Sequence, residues 1–322
     1  MQGSDNTPGQ GHAMPVRLIF SSVSAVLLAA VGTFVPLLGF WGLLLCPLPL
    51  AVLGCRDGMR PMAWGLFLTE ALLALLLSPA FALYFLLGCA PLSLALCLVP
   101  RTKWTGGEAL LVCALVSLGA KLALAGAFWA LTGQNILLPD MKQMDLALTQ
   151  FYSNLPPEQS QTIMEGMRRM LSFLPYMLPS LVLICAELDS LVNYMACGAI
   201  LRRRGVERRP PALPPFADWR FPRSLLPAYL LSVLLSYLWD ADTWVEGAMF
   251  AVNLKLALNV LFFAQGLALF SWWMDRRGFR PVSRFLLLFF MLFPLMWPWL
   301  VFLGIADIAF DLRARAGRRD AR

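Results

Sequence analysis

Phe173–Leu201 reads FLPYMLPSLVLICAELDSLVNYMACGAIL, and this stretch decides the class of the fold. It is long enough to cross a bilayer, yet it carries Glu187 and Asp189 near its middle. A charge at membrane depth costs about 2.5–3.5 kcal/mol on insertion scales, so such a residue faces a polar interior or a partner. Arg202, Arg203 and Arg204 close the segment and place that end on the cytoplasmic side.

The rest of the chain has the same character. Hydrophobic residues make up 59% and charged residues 14%, with a mean hydropathy of +0.68. That is far more apolar than a soluble domain. The net charge of +7 does not point to nucleic acid. The Lys and Arg residues lie in short clusters between apolar runs, without the basic and aromatic interleaving of a nucleic-acid groove. Seven cysteines fall in or at the ends of apolar runs without a C-x-x-C pair, and the one histidine, His12, sits in the N-terminal tail. The residues imply no metal site and no cofactor, and the thiols read as small apolar residues.

Outward from the central stretch, residues 1–16 read as a disordered tail. Apolar runs follow at 18–38, 40–55, 62–77, 80–99 and 109–131, with a kink expected at Pro47 and Pro49. Residues 17–204 thus form a six-span core, with an outer loop at 133–170. In that loop Met141, Met144, Leu148 and Phe151, then Ile163, Met167 and Met170, recur at helical spacing. Two amphipathic helices are expected there, as a lid or as interfacial packing. Residues 205–224 form a basic, proline-rich linker. Membrane segments resume over 225–312, with spans at 225–239 and 247–274 and a run at 285–310 that Pro294 and Pro298 interrupt. A basic tail, 313–322, ends the chain. The expectation is an all-α, polytopic integral membrane bundle of about eight to nine transmembrane segments, its solvent the lipid bilayer.

Charge asymmetry orients it. With the N-terminus in the cytoplasm, the inner loops hold Arg17, Arg56 with Arg60, Arg101 with Lys103, the linker arginines and Arg276, Arg277, Arg280 and Arg284. The outer loops hold only Lys142, Arg168 and Arg169. This is the pattern of a bacterial cytoplasmic (inner) membrane protein. The tail conflicts with it, since nine full spans would leave its arginines outside. A broken hairpin at Pro294–Pro298 would keep them inside, but each arm is too short to cross.

Five ionisable residues lie within spans: Glu70, Lys121, Glu187, Asp189 and Lys255. Asp189 shares a helical face with Asn193, and Lys255 with Asn259, whereas Glu187 and Asp189 point to different sides. Two readings stand together. Lys121 pairs with Glu187 or Glu70 and ties helices, or these seven residues line a pocket for a solute or a proton. No nucleotide-binding, zinc-protease or serine-hydrolase motif is present, so the residues do not indicate an enzyme. ATP-driven work would need a separate ATPase partner subunit.

Several stretches carry a resemblance: CPLPLAVLGCRDG (46–58), PPALPPFADWRFPRSLL (210–226), LNVLFFAQGLALFSWWMDRRGF (258–279) and FPLMWPWLVFLGIADIAFDLRAR (293–315). Together they resemble the YybS-like family of uncharacterised multi-pass bacterial membrane proteins, over nearly the whole chain after residue 16. The resemblance implies a helical membrane fold and transfers no functional residue. A looser similarity, to the substrate-binding components of energy-coupling-factor vitamin transporters, implies six helices with both termini cytoplasmic and a small-solute site among the first six spans. The extra C-terminal segments depart from that pattern. The expected function is a small-solute-binding or transport component. The alternative is a non-transporting membrane scaffold or partner in envelope assembly, docking through its basic linker.

Overall fold

A computed structural model describes residues 10–35, 38–133, 145–146, 149–150, 157–239, 244–291 and 293–320. Among the described residues there is no strand. Seven helices among the described residues are long and apolar enough to cross a membrane, spanning Met14–Phe34, Gly39–Asp57, Met59–Leu76, Pro79–Arg101, Gly106–Thr132, Phe173–Arg203 and Val245–Arg276. With them, among the described residues, three shorter apolar helices belong to the all-α polytopic bundle.

The chain divides into two compact units. The first comprises Met1–Ile136 and Cys185–Ala212, the second Leu137–Ile184 and Leu213–Arg322. In the first unit α1 (Gln10–Phe34) leads into α2 (Gly39–Leu45) and α3 (Leu48–Asp57). α1 thus begins inside the stretch expected to be a disordered tail, with Ala13 and Met14 extending the apolar helix backwards. The kink expected at Pro47 is a turn that separates α2 from α3. Gly58, at φ +100°, reverses the chain into α4 (Met59–Leu76).

α5 (Pro79–Tyr84) and α6 (Ala90–Leu98) are joined by a π-helical turn, Phe85–Cys89. Pro91 follows that turn; its ring would clash with the carbonyl four residues back, and the wider turn relieves the clash. α7 (Gly106–Thr132) starts on a capping box between Thr105 and Glu108. Cys185–Arg203, the C-terminal part of α8 (Pro157–Arg203), completes the unit. Its core holds Leu50, Leu92, Leu96, Cys113, Ala186 and Cys197, all nearly inaccessible.

α8 runs unbroken from Pro157 to Arg203, 47 residues, more than one bilayer crossing requires. The separate surface helix expected at 163–170 is therefore the first part of α8. Met141, Met144, Leu148 and Phe151 lie outside the described residues. Pro175 and Pro179 sit within α8 without ending it.

Asn253 explains how the helix continues past Pro179. Its side-chain amide accepts from the Ser180 N–H (2.8 Å) and donates to the Tyr176 carbonyl (2.7 Å), while the Ser180 hydroxyl donates to the Asn253 carbonyl (2.8 Å). The amide stands where the ladder bond from Ser180 to Tyr176 would be, a side chain inserted into a helix. Asn253→Ala is expected to lower stability by about 1–2 kcal/mol, seen as a lower thermal midpoint in detergent.

In the second unit α9 (Leu225–Leu238), α10 (Val245–Arg276), α11 (Pro281–Met291), α12 (Trp297–Phe310) and α13 (Leu312–Asp320) follow in order. The break expected in the last apolar run is present, a 3-10 turn at Pro294–Met296. α10 and α12 cross at two glycines: a Cβ on Gly266 would lie 2.0 Å from the Leu300 carbonyl oxygen, and one on Gly304 would lie 2.0 Å from that of Phe262. Small residues at a crossing permit such backbone contact. Leu258, Phe262, Val301 and Ile308 form the core beside it, with Tyr229 edge-on to Phe262 at 5.2 Å.

Contacts rise together along α10 and along α12 with the α13 that follows it. Gln265 reaches Asp307 (2.6 Å) and Arg276 reaches the Ala316 carbonyl (3.2 Å). The two helices are therefore parallel, and α11 is a short return arm between them. The basic tail comes back to the end of α10 that holds Arg276. This is the broken-hairpin arrangement, and it removes the conflict between the tail and the charge pattern.

Candidate functional site

Four polar side chains of the first unit meet as two helical couples. Ser117 and Lys121 are one turn apart on α7, and Asp189 and Asn193 are one turn apart on α8, so each couple presents a common face. The Lys121 ammonium lies 2.8 Å from Asp189 Oδ2 and donates to the Ser117 hydroxyl at 2.9 Å, and that hydroxyl donates to the same carboxylate oxygen at 3.2 Å. Asn193 Nδ2 donates to Asp189 Oδ1 (3.0 Å) and to the Leu44 carbonyl (2.7 Å). Leu44 lies in the last turn of α2, where carbonyls lose their helical partners. The break at Pro47 thus creates an acceptor that Asn193 fills. Asn193 Oδ1 is buried and has no partner among the described residues.

The ion pair is not sealed. It forms one wall of a cavity of about 180 Å³, otherwise lined mainly by apolar side chains including Phe40, Leu43, Leu124 and Leu188. Gly88 and Cys89 line it from the π-helical turn, an irregularity frequent at functional sites, and Tyr84 lines it from the last position of α5 just before that turn. Side-chain exposures of 25% for Lys121 and 12% for Asp189 leave both ions reachable. In an apolar wall their attraction and their demand for partners both exceed the values in water.

Of the seven residues expected to form a site, the structure brings together Lys121, Asp189 and Asn193. It does not pair Lys121 with Glu187 or Glu70. Glu187 is two residues from Asp189, about 200° around the helix; it is exposed and has no side-chain partner among the described residues. Glu70 is partly buried on α4, with Oε1 unpartnered among the described residues. Lys255 and Asn259 lie on α10, in the second unit, without hydrogen-bond or ion-pair partners among the described residues. Ser117 and Tyr84 were not expected. Ser117 was visible in principle, since S-x-x-x-K on α7 mirrors D-x-x-x-N on α8. Nothing in the residue pattern marks the π turn that follows Tyr84.

The second unit has its own polar cluster. Gln265 donates to Asp307 Oδ2 (2.6 Å) and accepts from the Phe221 N–H (3.0 Å). Arg313, counted by sequence with the basic tail, is 3% exposed. Its Nε lies 3.1 Å from Asp307 Oδ2, and its Nη1 donates to the Ala217 carbonyl. Burial pulls the Arg313 guanidinium below the usual arginine range, and the Asp307 carboxylate opposes that pull. The cluster holds the proline-rich segment after residue 212 against α10 and α12. Its hydrogen bonds are to backbone and to one another, and the buried Arg313 Nη2 has no hydrogen-bond partner among the described residues.

A family profile described as predicted membrane protein (DUF2232) matches residues 22–308. The Bacillus subtilis (strain 168) protein described as uncharacterized protein YybS is 22% identical over 313 residues, covering 94% of this chain and 98% of that one. No solved structure matches the chain. The apolar helices and the family agree on a multi-pass membrane location. The chain belongs to the DUF2232 family of predicted membrane proteins.

Proposed function

We propose that the first unit binds a small solute at Lys121 and Asp189, and that the protein is a solute-binding or transport component of a bacterial cytoplasmic membrane with its N-terminus inside. One observation carries this reading: the ion pair borders a cavity instead of being packed over. A pair whose work is only to tie helices needs no such space. The ammonium and carboxylate offer complementary contacts to a molecule that bears both donors and acceptors, and the aromatic and leucine walls suit its apolar part. Coupling to ATP would come from a separate partner subunit. The scaffold reading keeps one support, the exposed Arg202, Arg203, Arg208 and Arg209.

Cys185 supplies a test. It lines the cavity and is the exposed cysteine; the other six are buried. Alkylation by a small, membrane-permeant maleimide is expected to label Cys185 first. A bound solute should slow that labelling in a dose-dependent way, and Lys121→Met/Asp189→Asn should remove the protection. Labelling that no amino acid, nucleobase, vitamin or isoprenoid phosphate slows would favour the scaffold.

A further inference from the structure

A second cavity of the first unit, about 170 Å³, is lined by three arginines that are far apart in sequence: Arg17 on α1, Arg56 at the end of α3 and Arg204 just beyond α8. A single carboxylate faces them, that of Asp57, 3.0 Å from Arg17 Nη2. The side chains of Arg56 and Arg204 have no ion-pair partner among the described residues. Nε of Arg17 is buried and also unpartnered among them. Three guanidinium groups around one cavity with one acidic partner leave a net positive charge that mutual repulsion should disperse. Helix C-termini at α3 and α8 favour cations there, but they do not supply the paired acceptor oxygens that a guanidinium fork fits.

The rest of the wall is apolar. Val52 and Leu53 are buried, whereas Val16 and Phe20 are 65% and 67% exposed and run from the cavity onto the outer surface of α1. Charge at one end and an open apolar flank at the other match a phosphate group with an acyl chain attached. We propose that Arg17, Arg56 and Arg204 form a phosphate site, and that the phosphate is the headgroup of an anionic lipid. This is independent of the Lys121–Asp189 reading, since it uses another cavity and other residues.

Full-length protein in neutral detergent is titrated with phosphatidylglycerol, phosphatidylcholine and inorganic phosphate, and the thermal midpoint is followed. Phosphatidylglycerol is expected to act at concentrations about tenfold below phosphatidylcholine, and Arg56→Gln/Arg204→Gln should erase that preference. Arg204→Gln alone, beyond the last helical turn, should weaken the preference and provides the same readout if the double variant folds poorly. A shift produced by inorganic phosphate and lost in these variants would keep the phosphate site and assign it to a soluble ester. No preference in the wild type, or one that survives both substitutions, would overturn the proposal.

Discussion

Gly304→Ala and Gly266→Ala are each expected to destabilise the second unit by about 3 kcal/mol or more, the upper range of overpacking effects. Either added methyl would sit 2.0 Å from a carbonyl oxygen of the facing helix, well inside van der Waals contact. The obstacle is backbone on both sides, so no rotamer change can relieve it. α10 and α12 must move apart, which opens the core around Phe262 and Ile308 and strains the Gln265–Asp307 contact. The measurement is the thermal midpoint and folded yield in detergent. Gly119→Ala and Gly198→Ala are the controls: nothing lies within 4 Å of a Cβ at either position. There the loss of backbone freedom in the unfolded chain should stabilise by up to about 1 kcal/mol. Equal effects at all four positions would refute the close crossing.

The second large effect is at the ion pair. Lys121→Met or Asp189→Asn alone should cost about 3–5 kcal/mol, because each leaves an opposite charge in an apolar wall without its partner. The double change, Lys121→Met/Asp189→Asn, should recover most of that loss, since replacing a buried pair by neutral groups is often close to neutral. Glu187→Gln, on the exposed face of the same helix, should stay within about 0.5 kcal/mol of wild type. Thermal midpoints of the four variants read this out. A large effect of Glu187→Gln, or no recovery in the double variant, would show that the pairing is wrong.

The contrast between Glu187 and Asp189 shows where sequence reasoning stops. Hydropathy and spacing give an expected depth of a residue in a span, and both carboxylates lie within the apolar helix Phe173–Arg203. Rotation about the helix axis depends on what the neighbouring helices present. Lys121 and Ser117 choose Asp189, and that choice lies in the packing of α7 on α8. Proline was legible where it ends a helix, as at Pro47 and in the break before α12. The span read over Phe173–Leu201 runs on past Pro179, and the side chain that sustains it there, Asn253, lies 73 residues away, where spacing gives no sign of it. The tail posed a conflict that charges alone could not resolve. Two glycines permit α12 to lie parallel against α10, and the tail returns to the end that holds Arg276.

That a solute binds at the Lys121–Asp189 pair is a proposal for experiment to test. The most direct measurement is the thermal midpoint of the full-length protein against a panel of amino acids, nucleobases, vitamins and isoprenoid phosphates, for the wild type and for Lys121→Met/Asp189→Asn. A ligand of the folded state raises the midpoint with concentration. The account predicts such a rise for at least one class of solute in the wild type and its loss in the double variant. A panel without any rise, or a rise of equal size in both proteins, would contradict it.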